Sequence, residues 1–287
     1  MTYEEMLQIC SLLLKMGINK IRITGGEPFV RKDIMQFLTE LSKLKGLNEL
    51  TITTNGVLTA PYVPELEKIG VRSVNLSLDT LDAGRFFTIT RRDEFASVME
   101  TLDALLKHGI EVKINAVVMD GKNTQDIIPL VELTKELPVS VRFIEEMPFN
   151  GDGHVYGGLQ WDYVRILEEI KDKYPAVKKI TDAEYSTSYN YQIPGHKGSI
   201  GIIAAYSRTF CGTCNRIRIT PVGELKTCLY DDGVLNIKDL IRQDINEDNL
   251  KMLLLDTFNN RAIDGWEAER LRVENKGVHE SMATIGG

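Results

Sequence analysis

Residues 20–28 read Lys-Ile-Arg-Ile-Thr-Gly-Gly-Glu-Pro, a short alternating pattern that runs directly into a glycine pair. Side chains alternate between the two faces of a strand, so Lys20 and Arg22 share one face while Ile21 and Ile23 take the other. Two glycines let the backbone approach a ligand closely, and ligands bind where the strands of such folds end. The stretch predicts a strand that ends in a ligand-binding turn; the alternative is a plain strand-to-helix turn.

The same alternation recurs along the first half of the chain. Strands are predicted at 20–24, 49–54, 73–77, 111–118 and 140–145, and helices at 3–16, 34–45, 95–108 and 124–137. Alternating strands and helices imply a parallel sheet. We therefore predict the α/β class, as an incomplete (β/α)6-type TIM-like barrel without its first strand. A polar face on every strand predicts a partly open lumen that holds a polar ligand, with a solvent-facing sheet as the alternative.

The pattern changes after Pro148. A glycine-rich stretch is followed by a predicted helix near 161–173, short strands at 189–193 and 199–204, and two helical segments before the end. We predict two domains, a partial barrel at 1–148 and a smaller C-terminal α+β extension at 149–287.

The bulk composition excludes several classes of function. The 287 residues carry a net charge of −7, which argues against a general nucleic-acid surface, since such surfaces rely on clustered lysine and arginine. The chain has no apolar run of 18 or more residues and no signal peptide. We therefore expect a cytoplasmic protein that binds neither nucleic acid nor membrane. The cysteine count of four fits a metal site better than a disulfide framework.

The clustered cysteines are Cys211, Cys214 and Cys228, with Arg216 and Arg218 inside the spacer. A structural zinc site is normally closed by a fourth cysteine or histidine. An iron-sulfur cluster held by three cysteines leaves one iron open for a ligand. The two arginines suggest that something anionic is held beside the metal, and the spacing alone leaves both kinds of site open.

Several further segments carry a family signature together with residues 20–28. They are Ser-Leu-Asp-Thr-Leu at 77–81, Arg-Arg-Asp at 91–93, Arg-Phe-Ile-Glu at 142–145 with Met-Pro at 147–148, Phe-Cys-Gly-Thr-Cys-Asn-Arg-Ile-Arg at 210–218, and the terminal Gly-Gly. In combination they resemble the GTP 3′,8-cyclases. These are radical S-adenosylmethionine enzymes that make the first intermediate of molybdenum cofactor biosynthesis.

The resemblance implies ligands for particular residues. A C-terminal 4Fe-4S cluster would bind Cys211, Cys214 and Cys228, with its open iron on the purine of GTP. S-adenosylmethionine would contact Gly26, Glu27, Ser77 and Met147. GTP would contact Lys20, Arg22, Thr53, Lys113, Arg142, Arg216 and Arg218. Catalytic roles would fall to Arg142, Arg218 and the terminal Gly286 and Gly287.

The resemblance also implies a reaction and partners. GTP would be converted to (8S)-3′,8-cyclo-7,8-dihydroguanosine 5′-triphosphate by 5′-deoxyadenosyl radical chemistry, a lyase reaction. The expected partners are an electron donor and the downstream cyclic pyranopterin monophosphate synthase, and a homodimer is left open.

One family motif is missing from the sequence. The family binds a second 4Fe-4S cluster, which cleaves S-adenosylmethionine, through Cys-x3-Cys-x2-Cys, and this chain has no such motif. The chain also begins at a predicted helix where a strand is due. We therefore expect an N-terminally incomplete cyclase that is inactive alone. The alternatives are another radical enzyme with an auxiliary cluster that acts on a peptide, a one-cluster GTP-binding remnant, and a zinc-stabilised binding protein.

Overall fold

The computed structural model describes residues 1–147, 158–231 and 233–273. The helices are α1 Tyr3–Lys15, α2 Ile34–Ser42, α3 Val63–Lys68, α4 Ala83–Thr90, α5 Phe95–Lys107, α6 Ile127–Glu136, α7 Tyr163–Lys173, α8 Ile237–Arg242, α9 Glu247–Asn259 and α10 Gly265–Val273. The strands are β1 Lys20–Ile23, β2 Glu49–Thr54, β3 Ser73–Ser77, β4 Glu111–Val118, β5 Val139–Glu145, β6 Lys178–Lys179, β7 Tyr189–Gln192, β8 Ser199–Ile203, β9 Arg218–Ile219, β10 Glu224–Lys226 and β11 Leu235–Asn236. Within these ranges no helix is long and apolar enough to cross a membrane.

The predicted strands and helices are confirmed, with boundaries that differ by a few residues. The sequence patterns missed the helices α3 and α4 and the short strands β6, β9, β10 and β11. They also predicted two helical segments where the structure has α8, α9 and α10.

The described residues form two compact units. The first unit contains 1–50 together with 211–231 and 233–273, and the second contains 51–147 together with 158–210. Strand β2 begins in the first unit and continues into the second. The predicted domain boundary between 148 and 149 falls outside the described residues and stays a prediction.

The first unit is built around α1. Thr2 caps this helix, because its Oγ1 accepts the Glu5 N–H while its own N–H donates to Glu5 Oε2. This reciprocal pair is a capping box, which satisfies two N–H groups at the start of a helix. The apolar face of α1 then shares one core with β10, α8 and α9. The buried residues of this core are Ile9, Leu12, Leu13, Leu225, Ile237, Leu250 and Leu254.

The second unit is built on a sheet with the strand order β2, β3, β4, β5, β8, β7, β6. Strands β2, β3, β4, β5 and β8 are parallel, while β7 and β6 are antiparallel to their neighbours. Strand β8, which was predicted in the C-terminal extension, therefore adds directly to β5. The α/β class with a mostly parallel sheet is confirmed, and the incomplete barrel remains a prediction.

The two faces of this sheet differ as the alternation predicts. Val74 and Leu76 on β3, and Val112 and Ile114 on β4, are fully buried. On β4 the intervening Lys113 is only partly buried. One face of the sheet therefore packs into the apolar core, and the other carries polar side chains.

Candidate functional site

The turn after β1 contains the glycine pair and Glu27, for which a ligand-binding role remains a prediction. Lys20 and Arg22 lie on the exposed face of β1, and Lys20 Nζ pairs with Glu49 Oε1 at 2.7 Å. Gly25 has φ 129°, a backbone conformation that residues other than glycine rarely adopt. Gly26 is exposed. The Glu27 carboxylate accepts the Phe29 N–H at 3.2 Å and so begins the short 3-10 helix Pro28–Val30.

In the second unit, two predicted site residues, Thr53 and Lys113, form a row across adjacent strands with Asn75 between them. Thr53 lies opposite Asn75, and Asn75 lies opposite Lys113. Asn75 Nδ2 donates to Thr53 Oγ1 at 3.3 Å. Lys113 Nζ donates to Ser73 Oγ at 3.0 Å and pairs with Glu111 Oε2 at 3.0 Å. The Ser73 hydroxyl and the Glu111 carboxylate thus orient the Lys113 ammonium group within this row.

A second row lies one pleat further towards the carboxyl ends of the strands. Ser77 lies opposite Asn115, Asn115 opposite Arg142, and Arg142 opposite Gly201. A Cβ at Gly201 would come within 3.1 Å of Arg142 Cγ, so the glycine leaves the space that the arginine fills. Met147 follows β5 and is partly buried. The second unit thus brings Thr53, Ser77, Lys113 and Arg142 onto one sheet face.

Sequence reasoning did not single out two carboxylates near the ends of these strands. Burial raises the pKa of Asp79 to about 6, although the Val117 N–H donates to its Oδ1 and opposes that rise. Glu145 is 1% exposed and accepts three backbone N–H groups, those of Tyr163, Tyr206 and Ser207. Asp79 follows Ser77 by two residues, so the alternation of strand side chains was the signal that could have found it. No local sequence pattern indicated the contacts of Glu145.

The three clustered cysteines lie in the first unit. Cys211 begins the short 3-10 helix Cys211–Thr213, and the Cys214 N–H donates to the Cys211 carbonyl at 3.1 Å. The Cys228 Sγ accepts the Tyr230 N–H at 3.5 Å. Burial raises the pKa of Cys228, and the negative charges of Asp231 and of the other two thiolates raise it further.

The donor chemistry of these thiols fits a metal group, because a cation would relieve the repulsion among the three thiolates. The described residues nevertheless contain no group of three or more His, Cys, Asp or Glu side chains arranged to hold a metal ion. The remaining cysteine, Cys10, lies partly buried in α1, and burial raises its pKa to about 11. Cys10 therefore stays a neutral thiol at physiological pH.

The turn that carries Cys228 is held by Asp231. Its Oδ2 accepts the N–H groups of Thr227 and Cys228 at 2.7 and 2.8 Å, and its Oδ1 accepts the Gly233 N–H at 3.0 Å. The fully buried Lys226 donates to the Asp231 carbonyl at 2.8 Å. These contacts fix the backbone on both sides of Cys228.

Arg216 and Arg218 lie close enough to the cysteines to interact with them electrostatically. The Arg216 side chain is exposed, yet partial desolvation by the surrounding protein lowers its pKa, which the charge of Cys214 opposes. Desolvation also lowers the pKa of Arg218, and the charge of Arg216 lowers it further, while Cys214 and Cys228 oppose this. Two guanidinium groups that repel each other favour a bound anion. The predicted catalytic residues Gly286 and Gly287 lie outside the described residues.

The fold and the family models define a class of protein. The model of the Radical SAM superfamily matches residues 1–134, and the model of Molybdenum Cofactor Synthesis C matches residues 139–264. The crystal structure of Streptococcus suis SuiB bound to S-adenosylmethionine has the same fold, with a TM-score of 0.59 at 19% identity. The alignment covers 88% of this chain and 61% of that one. The fold is that of the radical S-adenosylmethionine proteins.

Comparison with relatives narrows this class. The GTP 3′,8-cyclase of Chlorobaculum tepidum is 38% identical over 285 residues, which cover 99% of this chain and 84% of the relative. The chain therefore belongs to the GTP 3′,8-cyclase family. Molybdenum cofactor biosynthesis protein 1 of Dictyostelium discoideum is 42% identical over 255 residues, or 87% of this chain. The chain spans 40% of the length of that relative.

Proposed function

We propose that this chain binds GTP and S-adenosylmethionine for the 3′,8-cyclisation of GTP in molybdenum cofactor biosynthesis. The observation that carries the proposal is the grouping of two mutually repelling guanidiniums with three thiols in the first unit. An arginine pair recognises phosphate by charge-assisted hydrogen bonds, and three thiolates are the ligand set of a cluster with one open iron.

The proposed roles of the remaining residues follow from their chemistry. Lys20, Arg22 and Lys113 would bind the negative charge of the triphosphate, together with Thr53, Arg142, Arg216 and Arg218. Gly26, Glu27, Ser77 and Met147 would contact S-adenosylmethionine. When bound, the clusters and S-adenosylmethionine supply the radical chemistry, and the protein supplies orientation and electrostatics.

The proposal assigns the C-terminal 4Fe-4S cluster to Cys211, Cys214 and Cys228. The Tyr230 N–H supports this assignment, because a hydrogen bond to a ligating sulfur orients it and tunes its cluster. The Asp231 carboxylate supports it by accepting the backbone N–H of Cys228 and so fixing the position of that residue. The sequence offers no Cys-x3-Cys-x2-Cys for the cleavage cluster, so this chain alone is proposed to lack cyclase activity. A cytoplasmic location, an electron donor, a homodimer and the downstream synthase belong to the same proposal.

Metal analysis tests the site. After anaerobic reconstitution with iron and sulfide, the full chain should bind about four iron atoms, as one 4Fe-4S cluster requires. Cys211→Ala, Cys214→Ala or Cys228→Ala should abolish most of this iron, whereas the matched control Cys10→Ala should keep it. A single zinc without sulfide would instead identify a closed structural site and contradict the proposal.

Nucleotide binding tests the substrate. Titration calorimetry should detect GTP binding by the reconstituted chain, and Arg216→Ala with Arg218→Ala should weaken it more than tenfold, since each removes charge-assisted hydrogen bonds. The control Lys43→Ala removes an exposed lysine that pairs with Glu40 and should leave affinity unchanged. Absence of GTP binding would favour the alternative of a radical enzyme that acts on a peptide.

A further inference from the structure

Asn75 carries a buried acceptor atom without a partner in the described part of the chain. The residue is 2% exposed, and no described residue hydrogen-bonds to its Oδ1. Its Nδ2 is used, because it donates to Thr53 Oγ1. Buried polar groups in native proteins nearly always have partners. An unpaired carbonyl oxygen in this place therefore indicates a partner that does not come from these residues.

Asn123 shows what a purely structural asparagine looks like in the same unit. It is 3% exposed, and its Nδ2 donates to the carbonyls of Asp79 and Val117 at 2.9 and 2.8 Å. Its Oδ1 accepts the Met119 N–H at 2.8 Å. Both ends of the Asn123 amide are satisfied within the protein, whereas only one end of the Asn75 amide is.

The position of Asn75 restricts the chemistry of its missing partner. It sits on the polar face of β3, opposite Thr53 on one side and Lys113 on the other, and adjacent strands lie about 4.8 Å apart. The Lys113 ammonium suits the ionised oxygens of a phosphate. Those oxygens only accept hydrogen bonds, so they do not pair with a carbonyl oxygen. The partner of Asn75 must instead present a donor next to a phosphate-bearing group.

We propose that Asn75 Oδ1 accepts a hydrogen bond from a ribose hydroxyl of the nucleotide whose phosphates bind Lys113. Ribose hydroxyls are donors that adjoin the phosphate chain in a nucleoside triphosphate. Asn75 thereby becomes a substrate-contacting residue that distinguishes ribonucleotides from deoxynucleotides. The inference rests on the proposed function, because it takes GTP as the ligand of this sheet face.

Deoxynucleotides and a shape-conserving variant test the inference together. Affinities of the full chain for GTP, 2′-deoxyGTP and 3′-deoxyGTP are measured by calorimetry for the wild type and for Asn75→Leu. One of the deoxynucleotides should bind the wild type about tenfold more weakly than GTP, as expected for one lost hydrogen bond. In Asn75→Leu, GTP should weaken to the same level and the difference between the two nucleotides should vanish.

Stability measurements separate this role from a structural one. Asn75→Leu should lower the urea midpoint of the ligand-free chain much less than Asn123→Leu does. The first variant gives up an unpaired acceptor and one hydrogen bond, to Thr53, whereas the second gives up three hydrogen bonds. Asn75→Ala, which removes the amide without filling its space, should show the same loss of discrimination between nucleotides.

Two results overturn the inference while leaving GTP binding intact. One is a wild type that binds all three nucleotides equally, and the other is an Asn75→Leu or Asn75→Ala variant that keeps the full deoxynucleotide penalty. A wild type that binds no GTP at all overturns the proposed function itself, and that result is distinct from the other two.

Discussion

Arg85 and Asp126 form a two-point ion pair that joins α4 to the short turn before α6. Arg85 Nε and one terminal nitrogen donate to the two carboxylate oxygens of Asp126 at 2.7 and 2.8 Å. The Asp126 side chain is 1% exposed and that of Arg85 is 35% exposed. The hydrogen bond to Asp126 raises the pKa of Arg85. Among the described residues, the buried Asp126 carboxylate thus hydrogen-bonds to one side chain, that of Arg85, which reaches in from the surface.

Loss of the Asp126 charge should weaken this junction. Asp126→Asn keeps the shape of the side chain but leaves the Arg85 guanidinium with one neutral acceptor in place of two charged oxygens. The free energy of unfolding should therefore fall by about 2 kcal/mol. Urea unfolding at pH 7 measures the change. The matched control Glu40→Gln removes the exposed pair with Lys43 and should cost under about 0.5 kcal/mol. Equal effects of the two variants would contradict a special role for the buried pair.

Glu145 should be intolerant of neutral substitution. Its carboxylate accepts the Ser207 hydroxyl as well as the three backbone N–H groups. In Glu145→Gln the side-chain NH2 group would face N–H and O–H donors where a carboxylate oxygen had accepted from them. This mismatch should cost about 2–3 kcal/mol of unfolding free energy. Ser207→Ala removes one hydroxyl and should cost about 1 kcal/mol. Thermal or urea unfolding compares them, and a smaller loss in Glu145→Gln than in Ser207→Ala would refute the prediction.

Asp79 should make stability depend on pH. Its pKa in the folded chain, about 6, exceeds the ordinary value of 3.8, so the folded state binds the proton more tightly than the unfolded state. The ionised carboxylate therefore destabilises the fold increasingly between pH 4 and 6. Asp79→Asn removes this term, and its stabilising effect should be about 1 kcal/mol larger at pH 8 than at pH 5. Urea unfolding at both pH values checks this, and an equal effect at both would be evidence against a raised pKa.

Gly201 and Gly198 should respond differently to alanine. At Gly201 the added Cβ meets the side chains of Arg142 and Asn190 at 3.1 and 3.2 Å, so overpacking should cost about 1–3 kcal/mol of unfolding free energy. Under the proposed function, the displaced Arg142 should also weaken GTP binding. At Gly198 the Cβ would lie 2.2 Å from the Val139 carbonyl oxygen. Because backbone yields less than side chains, Gly198→Ala should be the more destabilising variant by urea unfolding. The reverse order of stabilities would disprove this account.

The strands were predictable because their alternation is local, and α4 was not. The segment Ala83–Thr90 contains a glycine and several β-branched residues, which favour helix weakly. The helix forms where Asp82 Oδ1 caps it by accepting the Arg85 N–H at 2.7 Å, and where Asp126 holds the Arg85 side chain. That second contact joins residues 41 positions apart, and no local pattern reveals it.

In the candidate site, too, some features could be predicted from the sequence and others could not. Period-two alternation predicted that Thr53 and Lys113 would lie on polar strand faces, and the resemblance supplied their expected ligand. Strand β8 pairs with β5 although more than 50 residues separate them along the chain. No local pattern therefore predicts that Gly201 faces Arg142. Within the described residues, the Oδ1 of Asn75 lacks a partner because of three-dimensional packing, which no sequence pattern shows.

The shared core of α1, β10, α8 and α9 has a consequence for synthesis on the ribosome. Leu13 is synthesised long before Leu225, which belongs to the same core. About 210 residues separate them, so at about 5–20 residues per second the delay is roughly 10–40 s. During that interval the apolar face of α1 lacks the residues of β10, α8 and α9 that cover it in the folded protein. Nascent chains of this protein should therefore need shielding by a chaperone until the last helices have been translated.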